Sequence, residues 1–128
     1  MPIPETGELG PTAPYAVSKA TGDFLARVYA DGHGLELIRV RPFNHAGPGQ
    51  LPIYVLSSLA RQAAEARRAG ADVVRIVTGN PDTRRDFTDV RDVVRAYRLI
   101  AERGNPGVYN ISSGSSCRRW TRSACSPS

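Results

Sequence analysis

The 128-residue sequence has little that would cross-link it or hold it in a membrane. It has two cysteines, Cys117 and Cys125, both near its end and neither with a histidine close by. That pattern makes neither a zinc site nor a disulfide framework, and no metal is expected. No apolar run approaches the roughly 20 residues that span a bilayer. Met1-Pro2-Ile3-Pro4-Glu5 has no basic region and no apolar block, so no signal peptide is expected and a cytoplasmic location is the default. No internal repeat is visible.

A one-signed charge stripe is also missing. The net charge is +5, which raises the question of nucleic acid. Three of the 17 Lys+Arg are Arg118, Arg119 and Arg122, so residues 1–116 carry 14 against 12 Asp+Glu. The other arginines alternate with acids, as in Arg84-Arg85-Asp86 and Arg91-Asp92. That is a solvated mixed surface, and no nucleic-acid partner is expected.

What is present is an ordinary globular composition, 41% hydrophobic and 23% charged, enough for one domain or a piece of one. Residues 1–14 hold four prolines and read as an extended loop. Thr12 or a neighbour is placed to cap a helix over 15–32. Val17, Ala20, Phe24, Leu25 and Val28 fall at helical spacing and predict its buried stripe. Asp31-Gly32-His33-Gly34 ends it with a glycine available for a left-handed cap. Leu35–Val40 reads as a strand, and the loop Arg41–Gln50 follows it.

A second helix is predicted over 52–69, with Leu56, Leu59, Ala60, Ala63 and Ala64 inside and Gly70 as its stop. Val73–Val77 is β-branched and predicts a strand. Thr88 or Asp89 caps a third helix whose inner residues are Val90, Val93, Val94, Tyr97 and Ile100, and Val108–Ile111 is a last strand. From Cys117 the pattern stops. Residues 117–128 read as an atypical, disordered tail.

Three stretches carry candidate chemistry. Tyr15 and Lys19 are four residues apart, so a helix puts them on one face, one turn apart. An ammonium beside a phenol favours the phenolate, bringing proton transfer closer to neutral pH. Arg41-Pro42-Phe43-Asn44-His45-Ala46-Gly47-Pro48-Gly49-Gln50 leaves a strand, where open α/β sheets form their ligand crevice. Arg85-Asp86-Phe87-Thr88-Asp89 precedes a helix and offers a guanidinium.

Taken in that order, Pro14-Tyr15-x-x-Ser18-Lys19, the 41–50 loop and Arg85–Val90 resemble the extended short-chain dehydrogenase/reductases of the NAD-dependent epimerase/dehydratase family. The nearest look-alikes are GDP-6-deoxy-4-keto-mannose reductases and GDP-mannose 4,6-dehydratases. Pro4-Glu5-Thr6 and Val108-Tyr109-Asn110-Ile111-x-Ser113-Gly114 are similar to theirs too, so the resemblance covers about residues 2–116. It implies a doubly wound parallel α/β sheet of Rossmann type with a smaller substrate lobe. It also implies a nucleotide-diphosphate sugar as substrate, a GDP-sugar first, with NAD or NADP as cofactor. Tyr15 would be the catalytic acid/base and Lys19 would hold the nicotinamide ribose. Pro42 would run past the nicotinamide. Asn44 and Arg85 would bind the sugar diphosphate, the guanidinium fork matching paired phosphates. The 47–50 loop leans towards a reductase over a dehydratase or epimerase. The family often dimerises through a bundle that includes the Tyr-Lys helix, so the resemblance allows a homodimer.

The departures carry their own expectations. The family's opening strand, glycine-rich turn and helix, which cradle the cofactor pyrophosphate, have no counterpart before Tyr15. The Ser/Thr that precedes the tyrosine is missing as well. Residues 1–116 therefore read as the C-terminal part of such an enzyme: the catalytic helix, late strands and substrate lobe. Without the first strands its apolar faces would be uncovered. A non-catalytic remnant that keeps part of the sugar-nucleotide site is the alternative to an active oxidoreductase.

Overall fold

Proline 14 starts the first helix. The computed structural model describes residues 3–80, 82–118 and 126–127. Helix α1 spans Pro14–His33, with Pro14 in the first helical position, where its missing N–H costs nothing. The N-cap is Ala13 and no side chain caps it, so Thr12 does not have the expected role. Gly34, at φ 64°, closes the helix in the left-handed conformation. The elements that follow are β1 (Ile38–Pro42), β2 (Asn44–Ala46), α2 (Val55–Arg68), β3 (Arg84–Arg85), β4 (Phe87–Asp89), α3 (Val90–Arg103), β5 (Gly107–Ile111), β6 (Ser115–Arg118) and β7 (Ser126–Pro127). Residues 119–125 and 128, most of the tail read as disordered, lie outside the described residues.

The fold is α/β with parallel strands, and it divides into two units. The first comprises Met1–Phe43 and Val93–Ile111. Here β1 and β5 pair in parallel, Ile38 opposite Gly107 and Pro42 opposite Ile111. The ladder is extended by Phe43 N–H donating to the Ile111 carbonyl at 2.8 Å. The most buried apolar side chains are Val93 of α3 and Ile111 of β5, 3% and 7% exposed.

The second unit comprises Asn44–Asp92 and Ser112–Ser128. β2 and β4 pair in parallel, Asn44 opposite Phe87 and Ala46 opposite Asp89. β6 lies antiparallel between β3 and β7. The Asp89 carboxylate accepts from Arg91 N–H at 2.9 Å, which caps the start of α3 as expected. β2 is a correction: within the 41–50 segment Arg41 and Pro42 close β1, Asn44–Ala46 form a strand of their own after Phe43, and the loop begins at Gly47.

Three other expectations fail for physical reasons. All of the predicted stripe of α1 except the half-buried Ala20 faces outward: Val17, Phe24, Leu25 and Val28 are 49%, 52%, 54% and 63% exposed. The half-buried positions are Ala16, Ala20, Asp23, Ala26 and Ala30. Both sets fit a helical period, and periodicity alone cannot rank two apolar faces. On α3, Val93 is buried as expected, but Val94 and Tyr97 are 58% and 42% exposed. Val73–Val77 forms no strand. Instead the Gln62 amide takes the place of a neighbouring strand, accepting from Val77 N–H at 2.8 Å and donating to its carbonyl at 3.0 Å. β-branching favours extended backbone, but a strand also needs a ladder.

Candidate functional site

In the first unit, Tyr15 and Lys19 stand on the opening turns of α1, as the spacing predicts. The Lys19 ammonium lies over the Tyr15 ring, 5.4 Å from its centroid, within cation–π reach. Tyr15 is 73% exposed. Ser18 Oγ donates to the Tyr15 carbonyl at 2.8 Å, a bond inside the helix that leaves the phenol open. Pro42 ends β1 and is exposed. A proline closing a strand gives up no ladder donor and stiffens the exit.

Asp23 lies two turns further along α1. Its carboxylate accepts from Arg41 Nη2 at 2.7 Å and Arg39 Nη1 at 3.2 Å. The Arg41 hydrogen bond, aided by both guanidinium charges, holds the Asp23 carboxyl below the usual carboxylate range. Arg41 also donates to the Glu5 carbonyl at 2.9 Å. The Glu5 carboxylate accepts from Asn110 N–H at 3.1 Å, and that bond lowers its pKa too. Asn110 Nδ2 donates to the Ile3 carbonyl at 2.8 Å. Thus the Pro4-Glu5-Thr6 lead-in is tied to the Tyr109-Asn110 strand.

In the second unit, Asn44 and Arg85 meet through one residue. Asn44 Nδ2 donates to the Asp86 carbonyl at 3.2 Å. The Asp86 carboxylate accepts from Ser113 N–H at 3.0 and 3.1 Å. Asp89 is engaged by Arg91, whose Nε lies 2.9 Å away. Arg85 makes a bond to the Arg84 carbonyl at 3.3 Å and, among the described residues, no ion pair. Its neighbour Arg84 is anchored, donating to the Ser116 carbonyl at 2.6 Å. One arginine of the pair is structural, and the other is exposed with its charge available.

Beside Asn44 a cavity of about 260 Å³ is lined by the 45–50 segment and Val90. Gln50 shapes it: its Nε2 donates to the His45 carbonyl at 3.4 Å and its Oε1 accepts from Ser57 at 3.0 Å. Gly47 packs against Val90 so closely that a Cβ there would overlap the valine. Asp23, Asp86 and Gln50 were not singled out from the sequence. Their partners lie many residues away, except for Gln50, whose place in the loop was visible but whose bonds were not.

Comparisons with known proteins bear on the family of the chain. The family model described as GDP-mannose 4,6 dehydratase matches residues 1–125. A GDP-6-deoxy-D-mannose reductase of Pseudomonas aeruginosa is 41% identical over 115 residues, covering 89% of this chain and 38% of that protein. The structure of RMD from Pseudomonas aeruginosa complexed with NADPH matches with a TM-score of 0.83 and 38% identity, over 93% of this chain and 40% of that one. A dTDP-glucose 4,6-dehydratase from Bacillus anthracis in complex with NAD matches with a TM-score of 0.79 and 27% identity, over 91% and 36%. The chain therefore spans 40% or less of the length of these relatives. It belongs to the GDP-mannose 4,6-dehydratase family, among the extended short-chain dehydrogenase/reductases that act as nucleotide-sugar reductases and dehydratases.

Proposed function

We propose that this chain is the catalytic-helix and sugar-nucleotide part of a GDP-4-keto-6-deoxy-mannose reductase. The observation that carries the reading is Arg85, an exposed guanidinium without an ion pair among the described residues, held one residue from the Asp86 carbonyl that fixes Asn44. A planar fork beside an oriented amide suits a sugar diphosphate. The identity to a GDP-6-deoxy-D-mannose reductase favours a GDP-sugar and the reductase direction. A GDP-mannose 4,6-dehydratase is the second reading, favoured by the description of the matching family model.

The residues present fit one end of a nicotinamide cofactor, NAD or NADP. Tyr15 is open, Lys19 sits one turn on, and Pro42 ends the neighbouring strand. When bound, the cofactor would supply hydride to the C4 ketone. Tyr15 then gives its phenolic proton to the ketone oxygen as that oxygen gains negative charge. Lys19 holds the ribose and keeps a positive charge beside the phenolate that remains. Asn44 and Arg85 hold the diphosphate, a planar fork and an oriented amide on one sheet pair.

The sequence contains no glycine-rich turn between a strand and a helix, so these residues do not by themselves cradle a pyrophosphate. We expect Asn44 and Arg85 to bind the diphosphate of a sugar nucleotide whether or not a nicotinamide cofactor is bound. Calorimetric titration with GDP-mannose, UDP-glucose and dTDP-glucose tests the reading. GDP-mannose is expected to bind tightest. Failure to bind any of the three overturns it.

A further inference from the structure

The inward face of α1 is made of small residues, with one exception. Ala16, Ala20, Ala26 and Ala30 are half-buried, and Asp23 stands among them with its side chain 12% exposed. A row of alanines is smooth. It buries little area and offers no ridge that fixes a helix along a strand.

Arg39 and Arg41 are two residues apart on β1, so their side chains leave one side of the strand. Both converge on Asp23, with side chains only 19% and 22% exposed. Arg39 also donates to the Asp23 main-chain carbonyl at 3.4 Å. By contrast, Arg27–Asp31 on the same helix is 66% and 71% exposed, where an ion pair contributes little.

We propose that Asp23 is a positioning residue: through Arg39 and Arg41 it sets where α1, and with it Tyr15 and Lys19, stands on β1. The proposal rests on reading Tyr15 and Lys19 as the proton-transfer pair. Two charged forks meeting one carboxylate fix both the height and the tilt of the helix, which the alanines leave free. Arg41 carries the link onward to the Glu5 carbonyl, and Glu5 to Asn110 of β5. Tyr15 lies eight residues before Asp23, a lever of about 12 Å on a helix. A tilt of roughly 5° about Asp23 would move Tyr15 by about 1 Å, a displacement that costs on the order of a hundredfold in rate.

Lys19 is the sole lysine of the chain, which makes the position of α1 measurable. Reductive methylation with ¹³C-formaldehyde gives it the only labelled side chain. A nitroxide on Glu36→Cys, with Cys117→Ser and Cys125→Ser, reports the approach of Lys19 to the start of β1. In the Asp23→Asn variant the relaxation of the Lys19 methyls should change. Amides of α1 should exchange about tenfold faster or more, while the β1–β5 amides keep their protection. Asp23→Glu should restore both signals towards the wild type.

Wild-type relaxation in Asp23→Asn overturns the proposal, as does loss of β1–β5 protection in parallel with α1. If Asp23→Asn does not fold, Arg41→Lys decides. A displaced Lys19 beside an intact ladder supports the proposal, and an undisplaced one overturns it. The measurement does not use turnover. A failure here therefore removes the positioning role alone, whereas full activity of Tyr15→Phe in a chimera that carries a relative's cofactor-binding half removes the catalytic reading alone.

Discussion

The side-chain amide of Asn44 donates to the main-chain carbonyl of Asp86 at 3.2 Å. This bond ties the first residue of β2 to the residue after Arg85, in the register where Asn44 lies opposite Phe87. It is a neutral hydrogen bond at an exposed site, so its net worth is about 1 kcal/mol. Asn44→Ala should lower stability by that amount and weaken GDP-mannose binding about fivefold or more. Asn44→Asp should be worse, since a carboxylate would face the carbonyl oxygen and a bound diphosphate. Thermal unfolding and calorimetric titration of both variants check this. Equal behaviour of the two would remove the orienting role of the amide.

Tyr15 separates chemistry from stability. It is 73% exposed, so Tyr15→Phe should shift the melting temperature by no more than about 1–2 °C. Turnover can be read in a chimera that places the cofactor-binding half of a relative ahead of this chain. There the same variant should lose about 10²–10⁴-fold in kcat, the usual contribution of a positioned proton donor. A large loss of stability with unchanged kcat would reverse the assignment.

The Asp23 cluster predicts a pH dependence with a defined sign. Its carboxyl is held below the ordinary value of 3.8, foremost by the Arg41 hydrogen bond. A group whose folded pKa is lowered stabilises the fold above its unfolded pKa, and that contribution disappears as pH falls through the lower folded value. The stability difference between wild type and Asp23→Asn should be constant from about pH 8 to pH 5 and shrink below about pH 4. Urea unfolding across that range measures it. Glu5 acts in the same direction through its bond to Asn110, so it should be changed to Gln in both proteins to isolate Asp23.

Gly47 and Val90 make a packing pair in the second unit. Gly47→Ala would drive a methyl into the valine and should cost about 1–3 kcal/mol. Val90→Ala in the same protein should recover most of that loss, although it is itself mildly destabilising. A double-mutant cycle on thermal unfolding gives the coupling. Additive effects would mean that the loop yields instead of the valine.

These variants also show what could be read from the sequence. Two helix ends were legible because their chemistry is local, Gly34 for α1 and Asp89 for α3, whereas Pro14, which opens α1, was read as loop. Candidate site residues were legible for a different reason, since Tyr15, Lys19, Asn44 and Arg85 sit in an ordered set of motifs. What stayed hidden is long-range. Asp23 follows Lys19 by four residues and reads as half of a helical surface pair, yet its partners are 16 and 18 residues away. Val73–Val77 has strand composition, but Gln62, an amide on a helix, takes its hydrogen bonds. The outward face of α1 carries the large apolar residues and the inward face the alanines, an inversion that no periodicity reveals.

Arg85 is the residue proposed to hold the diphosphate of a sugar nucleotide. Its neighbour Arg84 is the internal control, because Arg84 is bound to Ser116. The decisive measurement is the affinity for GDP-mannose of wild type, Arg85→Ala and Arg84→Ala by calorimetric titration. A charge-assisted bond contributes about 1.5–3 kcal/mol, so Arg85→Ala should bind at least about tenfold more weakly at unchanged stability. Arg84→Ala should lose stability first and affinity less. Undiminished binding by Arg85→Ala would mean that Arg85 does not hold the diphosphate.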